Sequence, residues 1–314
     1  MSNGCDRREF LKGSIAASTG LKSAAVGGVF ANTAAWASQP STKPLPKRPL
    51  GKTGYQATIY GLGGLFTVSM QDRHSEAVEI INRALDLGVN YVDTSARYGT
   101  GASELNIGTV MKTRRNEVFL ASKSHDPTYD GTMALFKQSL ARLQTDHLDL
   151  YQHHALGTYV QLKDLQQKNS ARQAFERLRA DGLIRFIGVT GHSARLLADA
   201  LEDYPYDTAL ITLNAAREVM NDPEDLDRFF RVAKAKQVGV IAMKVVARGV
   251  LVSERGLDMR QLLPYTLSHP VTTAIVGISV VPHLEENVRI ASNFKQLTEG
   301  EMAEIRARAQ AKKA

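Results

Sequence analysis

From about residue 58 onward, short apolar runs alternate with longer stretches in which apolar residues return every three or four positions. The short runs predict strands at residues 58–63 (TIYGLG), 89–93 (VNYVD), 118–122 (VFLAS), 147–153 (HLDLYQH), 184–190 (IRFIGVT), 209–214 (ALITLN), 238–243 (VGVIAM) and 273–276 (TAIV). The stretches between them, SEAVEIINRALDLG and DPEDLDRFFRVAKAKQ for example, have helical period. The second offers Asn221 or Asp222 as N-cap, Pro223 in the first turn and early acidic residues, as a helix start requires. Eight strands, each followed by a helix, predict a parallel sheet closed on itself, a (β/α)8 TIM barrel of the α/β class. Pro44, Pro46 and Pro49 mark an extended entry, and GKTGYQATIYGLGG predicts an N-terminal β-hairpin leading into the first strand. The closing LTEGEMAEIRARAQAKK predicts an extra C-terminal surface helix. The rival fold is an open doubly wound sheet with a glycine-rich fingerprint opening a helix. GLGGLF supplies Gly61, Gly63 and Gly64 but no helix directly behind them.

The first 37 residues break this rhythm. A charged patch holding Arg7 and Arg8 precedes a weakly apolar, Ala- and Gly-rich run, and Ala35-Trp36-Ala37 stands before Ser38. That layout predicts an export signal with a small-residue cleavage site. The segment DRREFLK closely resembles the twin-arginine (Tat) consensus. The expected organisation is a signal over residues 1–37, a linker over 38–48 and the barrel over 49–314, exported to the periplasm with the Tat translocase as a transient partner. The leader is too polar for a membrane span, and no comparable apolar stretch follows.

Composition narrows the function classes. With 314 residues, 43% hydrophobic and 23% charged, the chain has ordinary globular character and a core large enough to need no staple. The single cysteine, Cys5, excludes an internal disulfide. The net charge of +7 is spread rather than clustered, so no nucleic-acid face is indicated. The expected state is a monomer acting on a small molecule.

In a barrel of this kind the C-terminal strand ends build the active site. Those ends bring Asp93 and nearby Tyr98, then Lys123 and His125, His153 and His154, His192, and Asn214. Adjacent strand residues face opposite ways, so only one of His153 and His154 points inward; spacing alone does not say which. Singly, each residue has an ordinary use as cap, packing residue or surface charge. Together they make a proton-transfer set. A phenol near an ammonium is expected to become more acidic, a carboxylate keeps that ammonium charged, and a histidine orients a carbonyl oxygen.

At these residues the chain resembles the aldo-keto reductase superfamily, over essentially all of 45–298. DTSARYG matches the family's DT-x-x-x-Y-G, giving Asp93 and Tyr98; the strand ending in Lys123 matches the family lysine; LDLYQHH matches LDLY-x-x-H and places the catalytic histidine at His154. The resemblance implies reduction of an aldehyde or ketone by a nicotinamide dinucleotide. Tyr98 would be the general acid, Lys123 and Asp93 would tune it, and His154 would orient the carbonyl. For the cofactor it implies Thr190 in IRFIGVTGHS, Asn214 on strand six, and Met243, Lys244 and Gly249 in AMKVVARGVL. It adds Gly277, Ile278, Ser279, His283, Glu286 and Asn287 in IVGISVVPHLEENV. The sequence departs from the family pattern at Gly191, where Asn is common, at Leu210, where Gln is common, and at Met243, where an aromatic residue usually stacks. Ser279 and His283 stand where an Arg or Lys commonly meets the 2′-phosphate. NADP is therefore the expected cofactor with NAD also open, and Lys244 and Arg248 are nearby cations that could substitute.

Two other readings stand beside the reductase. A metal-dependent barrel hydrolase would use His125, His153, His154 and His192; no metal is expected, because the Tyr–Lys pair would then be idle. A redox-sensing barrel would bind the dinucleotide with little turnover. The short segment from Ala155 to Asn169 predicts an open site tolerant of small aldehydes or quinone-like carbonyls.

Overall fold

The structure is a computed structural model and describes residues 43–311; the expected export signal lies outside the described residues. An antiparallel hairpin, β1 (Lys47–Pro49) and β2 (Gln56–Thr58), precedes eight parallel strands. These are β3 (Tyr60–Phe66), β4 (Tyr91–Asp93), β5 (Phe119–Ser124), β6 (Leu148–Leu156), β7 (Ile184–Gly191), β8 (Thr208–Thr212), β9 (Gly239–Met243) and β10 (Thr273–Ile278). They close in the order β10-β3-β4-β5-β6-β7-β8-β9, the expected (β/α)8 barrel.

Alternation along the strands divides the interior into two cores. Outward residues such as Val92, Leu120, Tyr151 and Val189 pack against the helix layer. Inward residues Tyr91, Phe119, Leu150, Leu210, Ile241 and Ile275 fill the lower barrel. The hairpin stoppers this lower end. Leu50 is fully buried against the inward residues, and the Tyr55 ring lies 4.7 Å from that of Phe119. Burying one leucine this completely stabilises the fold by roughly 1.5–3 kcal/mol. Among the described residues, the hairpin thus closes the lower end of the barrel.

Several boundaries differ from those read in the sequence. Strand β6 continues to Leu156 rather than stopping at 153, and Ala155 adopts a left-handed φ of 52° there. The Ala155 amide is held by Thr190 Oγ1 at 2.8 Å, which carries the strand across the bend. After β8, Asp222 precedes a short 3-10 turn, Pro223–Asp225, without a side-chain capping bond, and the α-helix begins only at Leu226. The Asp222 carboxylate accepts from Ser193 Oγ at 2.6 Å and Arg195 at 2.8 Å, so it ties two loops together instead of capping the helix. The C-terminal helix, Glu299–Gln310, starts at a reciprocal capping box between Thr298 and Glu301. Among the described residues, no helix is long and apolar enough to cross a membrane.

Candidate active site

The inward face of three adjacent strands changes from apolar to chemical as it rises. It reads Tyr91 then Asp93 on β4, Phe119, Ala121 then Lys123 on β5, and Leu150, Gln152 then His154 on β6. The register sets Asp93 beside Ala121, and Lys123 beside Gln152, so the lysine stands one layer above the carboxylate. A long side chain reaching back therefore meets it.

Lys123, 1% exposed, donates to Asp93 Oδ1, to the Thr94 carbonyl at 2.7 Å and to Tyr98 Oη at 3.3 Å. The other Asp93 oxygen accepts from Gln152 Nε2 at 3.0 Å. Burial pulls the Lys123 pKa down, but the Asp93 charge and the bonds to Asp93 and Tyr98 outweigh it and raise it, so the ammonium persists. A buried charge pair of this kind needs such extra hydrogen bonds to offset its desolvation.

Tyr98 corrects one expectation. Burial raises the phenol above its ordinary value, Asp93 adds to that, and the Lys123 charge only partly opposes it. The phenol stays a protonated donor rather than an acidified one. Its ring meets the His154 ring edge-on, with centroids 5.8 Å apart.

His154 is the inward histidine. It is 8% exposed, and its Nδ1 lies 3.1 Å from Ser95 Oγ. Burial, then the positive charge of Lys123, pushes its pKa down to about 2, so the ring is neutral. His153 faces the helix layer, stacked flat on Phe175 at 4.1 Å. The four histidines a metal hydrolase would need therefore do not converge.

Tyr98, Lys123, Asp93 and His154 line one cavity of about 790 Å³ with Thr190, Met243, Lys244 and Gly277. Leu210, His192 and Arg248 also reach it. The remaining expected cofactor residues are placed outside its lining. Both polar atoms of the Asn214 side chain bond the Glu218 backbone, at 2.9 and 3.0 Å. Gly249 ends a tight turn with φ 101°. Ile278 is buried, and the Ser279 carbonyl accepts from Thr67 at 2.9 Å. His283, Glu286 and Asn287 lie on the helix Val281–Ser292; Asn287 is buried and Glu286 faces Arg260 at 3.8 Å. Gly277 has a steric reason to lack a side chain, since a Cβ there would meet the Phe66 ring at 2.6 Å.

Four contributors escaped the sequence reading. Gln152 and Ser95 hold the charged and neutral halves of the set, while Arg97 and Tyr159 form one wall. Gln152 had a visible signal, two residues before His154 in the same phase. For the other three, the contacts of Ser95 with His154 and of Arg97 with Tyr159 arise only from the closure of the barrel.

The chain matches the Aldo/keto reductase family over residues 58–262. It belongs to that family. An uncharacterized oxidoreductase of Bacillus subtilis is 27% identical, over 82% of this chain and 94% of its own. L-galactose dehydrogenase of Arabidopsis thaliana is 27% identical, over 80% and 89%. Among solved structures, the holo form of an aldo-keto reductase from Bacillus halodurans superposes with a TM-score of 0.71 at 26% identity, covering 86% of this chain and 98% of that one. An aldo-keto reductase from Klebsiella pneumoniae in complex with NADPH superposes at 0.70 with 21% identity, covering 86% and 96%. In this aldo/keto reductase, Asp93, Tyr98, Lys123 and His154 meet at one cavity in the mouth of the barrel.

Proposed function

We propose that this aldo/keto reductase reduces a small aldehyde or ketone to an alcohol with NADPH, NADH remaining a possible substitute. One observation carries the reading: a protonated phenol stands 3.3 Å from a buried, ion-paired ammonium and edge-on to a neutral imidazole, all facing one cavity.

The residues on the β9–β10 side fit a dinucleotide. Lys244 has no carboxylate partner among the described residues, and burial with Arg248 beside it pushes its pKa down to about 8, an arrangement an anion would relieve. Lys244, Ala247 and Arg248 all have left-handed φ, at 61°, 48° and 61°. Such strain costs of order 1 kcal/mol or more at each non-glycine residue and gathers at ligand clamps. Met243 offers a flat, polarisable cover. That the Klebsiella pneumoniae neighbour was solved with NADPH supports the choice of cofactor. Bound there, a reduced nicotinamide supplies the hydride.

The chain's own residues do the rest. The Arg97 amide donates to Ser95 Oγ at 3.2 Å, and in this reading the serine hydroxyl donates in turn to His154 Nδ1, 3.1 Å away. The imidazole proton then sits on Nε2 and points at the cavity. His154 and Tyr98 grip the carbonyl oxygen from two sides. Tyr98 hands over its proton as charge develops on that oxygen, and Lys123 stabilises the phenolate left behind. Asp93, itself fixed by Gln152, holds Lys123 in place.

Turnover of a panel of aldehydes with NADPH and NADH tests the reading. Steady oxidation of either cofactor is expected; tight dinucleotide binding without turnover would make the protein a sensor instead.

Residues 1–37 are read as a Tat signal directing a monomeric enzyme to the periplasm, supported by DRREFLK, the Ala-rich run and Ala35-Trp36-Ala37. Fractionation of cells expressing wild type and the double variant Arg7→Lys/Arg8→Lys, with the size of the exported form measured, checks all three points. Equal export of both would remove the assignment.

A further inference from the structure

The proton-transfer set leaves one cation in the cavity without a task. Arg97 is exposed, lines the same cavity as Tyr98 and His154, and lays its guanidinium over the Tyr159 ring at 4.4 Å. The Tyr159 ring in turn meets His154 edge-on at 5.3 Å and His125 at 6.3 Å. Among the described residues, Arg97 has no carboxylate partner. Among the described residues, Asp93 is the only acid lining the cavity, and Lys123 and Gln152 hold it. Asp126, next to His125, turns back on its own loop and accepts from the Thr128 amide at 2.8 Å and its hydroxyl at 2.6 Å.

Barrel order separates this cation from those assigned to the dinucleotide. Arg97, His125 and Tyr159 follow β4, β5 and β6, whereas Lys244 and Arg248 follow β9. In the closed order β5 lies four strands from β9 in either direction, so the two groups face each other across the mouth. A guanidinium stacked on an aromatic face has its plane fixed and its edge N–H groups free. That edge is suited to two parallel hydrogen bonds with a carboxylate.

We propose that Arg97 recognises an anionic group on the substrate, and that the preferred substrates are carbonyl compounds bearing a carboxylate. The inference rests on the carbonyl-reductase reading and narrows it, because neither the proton-transfer set nor the dinucleotide needs a cation on this wall. Tyr159 is the platform that aims the guanidinium, and the Ala155–Asn169 segment is therefore a specificity wall rather than an open edge.

The test compares kcat/KM for 4-formylbenzoate and its methyl ester, which differ in charge but not in the reacting aldehyde. Wild type should favour the anion by at least about tenfold, the scale of a charge-assisted hydrogen bond. Arg97→Met keeps the apolar stem on Tyr159 and should bring the ratio to about one, mainly through KM. Arg97→Lys should recover part of the preference. An equal ratio in wild type and Arg97→Met, or a wild-type ratio of one or below, overturns the proposal. If neither aldehyde turns over, the reductase reading fails by itself. Calorimetric binding of 4-formylbenzoate to wild type and Arg97→Met then decides the anion site: a weakening of about fivefold or more upholds it, and equal affinity removes it.

Discussion

Ser95 Oγ and His154 Nδ1 lie 3.1 Å apart, linking the loop after β4 to the end of β6. The contact joins residues 59 positions apart, and in the proposed mechanism the serine donates to Nδ1 so that the imidazole proton is held on Nε2. Ser95→Ala should release that choice. Losing one neutral hydrogen bond is worth about 1 kcal/mol, so kcat/KM should fall roughly three- to tenfold. Nitrogen NMR of His154 should show a mixture of tautomers where wild type shows one, and Ser95→Thr should restore both readouts.

With Tyr98 proposed as the proton donor, Tyr98→Phe should lower kcat by about 10²–10⁴, the usual range for a positioned acid. Dinucleotide affinity, measured by fluorescence titration, should change little. A kcat within tenfold of wild type would move the proton source elsewhere.

The pH profile follows from the same residues. Burial raises the phenol pKa above its ordinary value, so the donor form is complete at neutral pH and is lost only as pH rises through that raised value. His154, at about 2, stays neutral throughout the working range. Accordingly, kcat for reduction should show no inflection between about pH 5 and 8 from this histidine, whose unperturbed value is near 6.5. An inflection there that disappears in His154→Gln would contradict the neutral assignment.

Lys123→Met should be damaging in a different way. It leaves the Asp93 carboxylate, fully buried, with Gln152 as its side-chain partner. Removing one member of a buried pair costs about 3–5 kcal/mol. Denaturant unfolding should register that loss, and the double variant Asp93→Asn/Lys123→Met should recover part of it.

His153 makes the acid limb of stability testable apart from catalysis. It is fully buried on Phe175 with neither ring nitrogen hydrogen-bonded, and burial pushes its pKa down to about 3. The unfolded chain, with a value near 6.5, binds the proton more readily. Stability from this group is therefore complete above about pH 6.5 and drains as pH falls, by at most about 1.4 kcal/mol per pH unit. His153→Phe keeps the stack and should gain more at pH 5 than at pH 8 in thermal unfolding. Equal gains at both would show that His153 does not titrate on unfolding.

The alternation of strand and helix periods was enough to specify an eight-stranded closed sheet, because a parallel strand buried on both faces reads as an apolar run. Asp93, Tyr98 and Lys123 were legible for a related reason: chemistry at the top of such a barrel must come from residues at or just past the strand ends, and these residues occur there in order; His154 was separated from His153 only by the resemblance of LDLYQHH to the family motif. What the sequence could not supply was phase and sign. Whether His153 or His154 points inward depends on the register of β6 against β5 and β7, which local spacing does not encode. The direction of the Tyr98 shift depends on burial outweighing the Lys123 charge, a balance set by how closely the barrel closes around the phenol. Ser95 acquires its relation to His154, and Arg97 its relation to Tyr159, only through that closure, because segments separated by some sixty residues come within hydrogen-bond and cation–ring distance once β4, β5 and β6 lie side by side.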